Sequence, residues 1–278
     1  MAFTRAAVST LLMAATSVAA TGVLLPLYTY PSADYNDGAA NWKPALDAIA
    51  ASSAVPWLAV VNPGNGPGQT GQPGNNDVNY ISGVSQLNAN SNVQTIGYVR
   101  TNYGTAPQAE LQANITNWAS WASYSESNIG VDGIFFDESS ASDFDYLNTA
   151  ITYARTAFGS KKIVTICNFG SAAPDEFFNI CDVAIIFESF LNNPDAPAYM
   201  GEETIDANTP DGYEAQAAVV VHDFVGIAAD GRTADTTLLG SYVQEAKDYG
   251  LGWLYFCSGG YDSITTAPAT VGALAAAF

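Results

Sequence analysis

Residues 131–139 read Val131-Asp132-Gly133-Ile134-Phe135-Phe136-Asp137-Glu138-Ser139, an apolar run that ends in two adjacent carboxylates. A short apolar run entered through glycine and rich in aromatics reads as a buried strand. Asp and Glu are almost never fully buried without a partner, so a strand that delivers both at its end presents them to a cleft or a loop. Capping of the next helix is the simpler reading, but Ser139, Ser140, Ser142 and Asp143 already serve that purpose. Other apolar runs end the same way: 162–166 leads to Cys167-Asn168, 182–187 to Glu188, and 217–221 to His222-Asp223. Tyr28, Tyr30, Asn62, Tyr98, Arg100, Asn102 and Tyr255 stand in or just after further runs of this kind. Carboxylates among aromatic and amide side chains suit a carbohydrate, whose hydroxyls need donors and acceptors and whose ring faces pack on aromatics. Glycoside hydrolysis uses two carboxyl groups flanking the bond, one as acid and one as nucleophile or base. Asp137, Glu138 and Glu188 supply that set.

Other chemistries fit less well. His222 is the one histidine of the chain, so a His-based nucleophilic triad would need it, yet no G-x-S-x-G elbow exists. It reads either as a hydrogen-bonding ligand to substrate, with Asp223 beside it, or as a structural partner. Mg²⁺ or Ca²⁺ on Asp137, Glu138 and Glu188 is conceivable, as carboxylate oxygens suit hard cations; a metal phosphodiesterase is not expected, because phosphate-binding basic residues are missing. No Cys and His spacing resembles a zinc site, and no cofactor or metal is expected. The Gly, Pro and Asn loop over 62–76 lacks both a Gly-Lys-Ser/Thr ending and a G-x-G-x-x-G opening, which discounts nucleotide binding.

The elements that position these residues alternate. Strands are expected at 22–28, 56–61, 93–99, 131–137, 162–166, 182–187, 217–221 and 252–256. Helices are expected at 42–52, 77–87, 110–124, 143–158 and 237–249, with a short one after Pro268. Segment 192–212, rich in Asn, Pro and Asp, reads as a loop. Alternation of this kind gives a parallel sheet, and eight units favour a closed (β/α)8 TIM barrel, a single α/β domain over 21–278, ahead of an open Rossmann-like sheet. Every polar strand ending then faces one rim. Strands four and six share parity, so Asp137 and Glu188 can converge at one level of the mouth. Adjacent carboxylates point to opposite sides of a strand, so one of Asp137 and Glu138 faces the axis unless a bulge turns both inward. Trp118, at helical spacing from Leu111, reads as core rather than as a sugar platform.

Residues 1–20 carry one early charge at Arg5, an apolar stretch and a small-residue ending, the layout of a secretory signal peptide. An extracellular, secreted or cell-surface protein is therefore expected, without a membrane span. With 8 basic against 27 acidic residues and a formal charge of −19, nucleic acid and anionic membrane are poor partners. A monomer acting on a polysaccharide is the expectation. Cys167, Cys181 and Cys257 leave one disulfide plus a free thiol open, and no pair is named. Cys167 and Cys181 are too far apart to bond if they lie at opposite ends of neighbouring strands. Asn114-Ile115-Thr116 is an N-glycosylation acceptor on what reads as an exposed helix face.

Taken together, Leu25-Pro26-Leu27-Tyr28-Thr29-Tyr30-Pro31, Val61-Asn62-Pro63-Gly64-Asn65-Gly66-Pro67-Gly68, Gly97-Tyr98-Val99-Arg100-Thr101, Gly133-Ile134-Phe135-Phe136-Asp137-Glu138 and Phe187-Glu188 resemble the spherulin-4 family, glycoside hydrolase family 135. The resemblance runs in order over nearly all of the chain after residue 20. It implies a (β/α)8 barrel and an endo-acting α-1,4-N-acetylgalactosaminidase that cleaves galactosaminogalactan, with the family's acidic trio falling on Asp137, Glu138 and Glu188. By analogy with other barrel α-glycosidases, Asp137 is expected as nucleophile, Glu188 as acid/base and Glu138 as a substrate-orienting or pKa-tuning group. In an α-linked 2-acetamido sugar the amide lies on the same face as the leaving group, so an enzyme carboxylate must attack or activate water. The competing reading is a non-catalytic cell-surface or glycan-binding protein on the same barrel.

Overall fold

The computed structural model describes residues 20–260 and 267–278. The leader expected over residues 1–20 lies outside the described residues, apart from Ala20. In chain order the elements are β1 (Gly22–Leu27), α1 (Lys43–Ala51), β2 (Trp57–Val61), α2 (Val78–Leu87), β3 (Val93–Arg100), α3 (Gln108–Ser120), β4 (Gly133–Asp137), α4 (Phe144–Ala157) and β5 (Val164–Asn168). They continue with β6 (Val183–Phe190), α5 (Glu202–Asn208), β7 (Ala217–His222), α6 (Thr236–Tyr249), β8 (Trp253–Phe256) and α7 (Val271–Ala276). The eight strands close into one barrel in sequence order, all parallel, with β8 returning to β1. Strands sealed on both faces read as continuous apolar runs, and β1, β2 and β7 are buried at every position.

Helices pack on the outside. Gly97 of β3 marks a close approach: a Cβ there would come within 2.5 Å of the Trp118 ring of α3, whose indole N–H donates to the Tyr98 carbonyl at 2.8 Å. Trp118 and Trp121 are both fully buried, as a core role requires. Asp143 and Asp235 cap α4 and α6 through side-chain bonds to backbone N–H groups of the first turn.

One expectation is corrected and one pairing left open is decided. Segment 192–212 contains α5, seven residues entered from Gly201 at φ 68° with Glu202 and Glu203 in its first turn. It buries only Thr204 and Ile205, too few to leave a periodic signal. Cys167 and Cys181 do form a disulfide, with Cα atoms 5.9 Å apart. Between β5 and β6 the chain makes a single 3-10 turn, Asp175–Asn179, and brings Cys181 back onto β5 before β6 begins. Cys181 is thus not bound to the axial position of a strand residue. A closed loop of this size stabilises the fold by about 3 kcal/mol in the loop-entropy account. Cys257 is the free, buried thiol.

Candidate active site

Strand pairing sorts the site residues by face. Arg100 opposes Asp137, Tyr98 and Ile166 both oppose Phe135, and Tyr255 opposes Val220. This parity faces the barrel axis, because the alternate position Gly97 faces the helix layer. Asn168 opposes Ile185 on the same inward parity. By simple alternation Phe187 would follow Ile185 inward and Glu188 would point out. A β-bulge between Ile185 and Phe187 prevents this. Beyond it Glu188 opposes Val220, two residues before His222, and so joins the inward set.

Asp137 and Glu188 meet through one side chain. Asn168 Nδ2 donates to Asp137 Oδ1 at 2.8 Å and to Glu188 Oε2 at 2.5 Å. The Gly170 N–H donates to Asn168 Oδ1 at 3.0 Å, which fixes the amide with its NH₂ toward the two carboxylates. Tyr98 Oη donates to Asp137 Oδ2 at 2.5 Å. Its ring stacks on Phe135 and meets Tyr28 edge-on, so the phenol is held rigidly at the barrel centre. Burial pushes the Asp137 carboxyl above the usual carboxylate range; the Tyr98 hydrogen bond opposes the shift, the Glu188 charge adds to it, and the Asn168 bond opposes it. Burial is also the main reason that the Tyr98 phenol is pushed well above its ordinary value, with the Asp137 charge next, so it stays a donor. His222, 1% exposed, places Nε2 at 3.2 Å from Glu188 Oε1.

Glu138 faces the same cleft by a different route from the bulge considered above. It is non-glycine at φ 50°, a left-handed conformation that turns the chain off the strand axis as β4 ends. Thr101 Oγ1 donates to its carbonyl at 2.6 Å and the Tyr103 N–H at 2.7 Å, and Arg100 Nε holds its carboxylate at 2.8 Å. Solvent screens such a half-exposed ion pair, so its consequence is orientation rather than stability. No group of three His, Cys, Asp or Glu side chains among the described residues is placed to share a metal ion.

The carboxylates open into a cleft of about 440 Å³ whose walls include Tyr28, Asp137, Glu138, Asn168 and Glu188. Tyr103, Phe169 and Gly170 also line it. They follow directly on strand ends, which is the signal that could have found them. Several expected ligands make bonds to neighbouring protein groups. Tyr30 donates to Asp77 Oδ2 at 2.9 Å and accepts from Asn79 Nδ2 at 2.7 Å, tying the β1 loop to the start of α2. Asn62 Oδ1 accepts from the Gly64 and Gly66 N–H groups at 3.3 and 3.2 Å, shaping the glycine-rich loop. Tyr255 is buried with its hydroxyl bonded to Cys257. Asp223 is an exposed residue at φ 48° whose backbone N–H donates to the Gly259 carbonyl. Asn114 is half-buried on α3, its amide against Gly66, so this part of the helix face is covered by the glycine-rich loop.

Comparison with known proteins agrees with this layout. The model of spherulation-specific family 4 matches residues 22–277, the whole barrel. The chain belongs to this family. Spherulin-4 of Physarum polycephalum is 31% identical over 179 residues, which cover 64% of this chain and 48% of that protein. The match thus spans about half the relative's length. Among solved structures, Aspergillus clavatus Sph3 in complex with GalNAc superposes with a TM-score of 0.70 at 24% identity, covering 92% of this chain and 98% of that one. A GH18 chitinase from Pseudoalteromonas aurantia gives a TM-score of 0.51 at 12% identity, covering 94% of this chain and all of that one. At these identities the likeness speaks for the barrel alone.

Proposed function

We propose that this family member is an extracellular glycoside hydrolase that cuts α-1,4-linked N-acetylgalactosamine within galactosaminogalactan by double displacement. One observation carries the mechanism. Oxygens of Asp137 and Glu188 both bond the same Asn168 nitrogen, so they lie no more than roughly 5.3 Å apart, the sum of the two bonds. That bound on the nearest oxygens is in keeping with a carboxylate attacking directly, as in double displacement. The sugar follows from the family resemblance, and the GalNAc held by Aspergillus clavatus Sph3 supports it. Export follows from the leader-like residues 1–20.

In this account Glu188, steadied by His222, gives a proton to the glycosidic oxygen while Asp137 attacks the anomeric carbon from the opposite face. The aglycone leaves and a glycosyl ester on Asp137 remains. Glu188 then takes a proton from water, which attacks the same carbon and releases Asp137. Tyr98 and Asn168 hold Asp137 through both steps, and Glu138, braced by Arg100, orients the sugar.

Digestion of galactosaminogalactan with product analysis tests the reading. Wild type is expected to release oligosaccharides, and Glu188→Gln to do so roughly 10²- to 10⁴-fold more slowly. A Glu188→Gln variant as fast as wild type would remove the acid/base assignment. A wild type that binds the polymer but releases nothing would favour the glycan-binding alternative.

A further inference from the structure

Tyr103 sits at the mouth of the cleft in a conformation that folding alone does not explain. Asn102, Tyr103 and Gly104 take φ values of 50°, 54° and 81°, three left-handed residues in succession. Gly adopts this region freely and Asn tolerates it, whereas tyrosine adopts it only with strain. The turn is held by its backbone and by its neighbours. The Tyr103 N–H donates to Glu138 O, the Thr105 N–H to Asn102 O, and Asn102 Nδ2 to Thr105 Oγ1 at 2.6 Å. The side chain contributes nothing comparable. It is 66% exposed, and among the described residues its ring stacks on no other aromatic and its hydroxyl makes no hydrogen bond. Glycine would therefore serve the turn better, yet a large ring stands here and lines the same cleft as Asp137 and Glu188.

We propose that Tyr103 is a stacking platform for a pyranose ring of the bound polysaccharide, a subsite beside the bond being cut. This rests on the polysaccharide reading above. The C–H face of a sugar packs on an aromatic face without needing the phenol hydroxyl. Because the Tyr103 N–H is bonded to the Glu138 carbonyl, the backbone that carries the platform is tied to the residue that turns β4 into the cleft. A sugar on Tyr103 is thus registered against the carboxylates, which favours an interior stretch of polymer over a single sugar.

The test compares Tyr103→Gly and Tyr103→Phe with wild type on an α-1,4-linked N-acetylgalactosamine oligosaccharide, reading KM, kcat, affinity and Tm. Affinity is read in the slow Glu188→Gln background. Stacking predicts that Tyr103→Gly raises KM and weakens affinity roughly tenfold, with kcat falling less than KM rises and Tm not falling. Tyr103→Phe should restore the wild-type KM. Unchanged KM and affinity in Tyr103→Gly, or a fall in Tm with kcat and KM lost together, would overturn the platform. Wild type that binds without cleaving would sink the hydrolase reading and leave affinity to judge Tyr103. Failure to bind at all would overturn both.

Discussion

Asp137→Asn is expected to lower polysaccharide cleavage by on the order of 10³-fold or more and at the same time to raise Tm at neutral pH. Activity is lost because the amide cannot form the glycosyl ester. Stability rises because burial holds the Asp137 carboxyl above its ordinary 3.8, so the folded state disfavours the charge that the unfolded chain carries easily. That destabilisation is absent when the group is protonated in both states and grows as pH rises through 3.8 toward the elevated folded value. The Tm gain of Asp137→Asn should accordingly shrink as pH is lowered to about 4 and below. Asparagine keeps both contacts, since its oxygen still accepts from Asn168 and its amide donates to the Tyr98 oxygen. Melting curves from pH 3 to pH 8 check this. A variant less stable than wild type at pH 7 would show that the charged carboxylate supports the fold.

Asn168→Ala is the second large expected effect, about a 10²-fold loss of kcat/KM with the chain still folded. One amide sets the spacing of both carboxylates, and its removal leaves two acidic oxygens facing each other without a donor. The variant carries a signature beyond lost activity. The Asn168 bond lowers the Asp137 pKa, so losing it raises that pKa further. The acid limb of the kcat/KM profile, where the nucleophile must be ionised, should move to higher pH. A profile of unchanged shape would mean that Asn168 does not tune Asp137.

The barrel and its acidic rim were legible in the sequence for a physical reason. Strands buried on both faces must be apolar throughout, so Asp137, Glu138 and Glu188 stand out at their ends, and strand order alone places them on one rim. What side chains do there was less legible. Asn168 reads as a sugar ligand, but its amide is spent on two carboxylates, a relation set by the inward parity of β5 and the bulge in β6. A bulge leaves no mark in a run such as Val183-Ala184-Ile185-Ile186-Phe187, where every residue is apolar. Glu138 could not be placed because its direction depends on one left-handed φ at a residue type that rarely adopts it. Tyr30 and Asn62 have the chemistry of sugar ligands, and only the fold shows that Asp77, Asn79 and two glycine N–H groups already engage them. The Cys167–Cys181 bond depended on how a short connection doubles back, which spacing does not encode.

The central claim is that Asp137 and Glu188 act as a close pair, with attack by a carboxylate rather than by water. Proton NMR of the first reducing ends released from an α-1,4-linked N-acetylgalactosamine oligosaccharide, recorded before mutarotation, tests it most directly. Double displacement predicts that the new ends appear as the α-anomer and drift toward equilibrium. First appearance of the β-anomer would contradict the account, since it would require water, rather than a carboxylate, to attack the anomeric carbon.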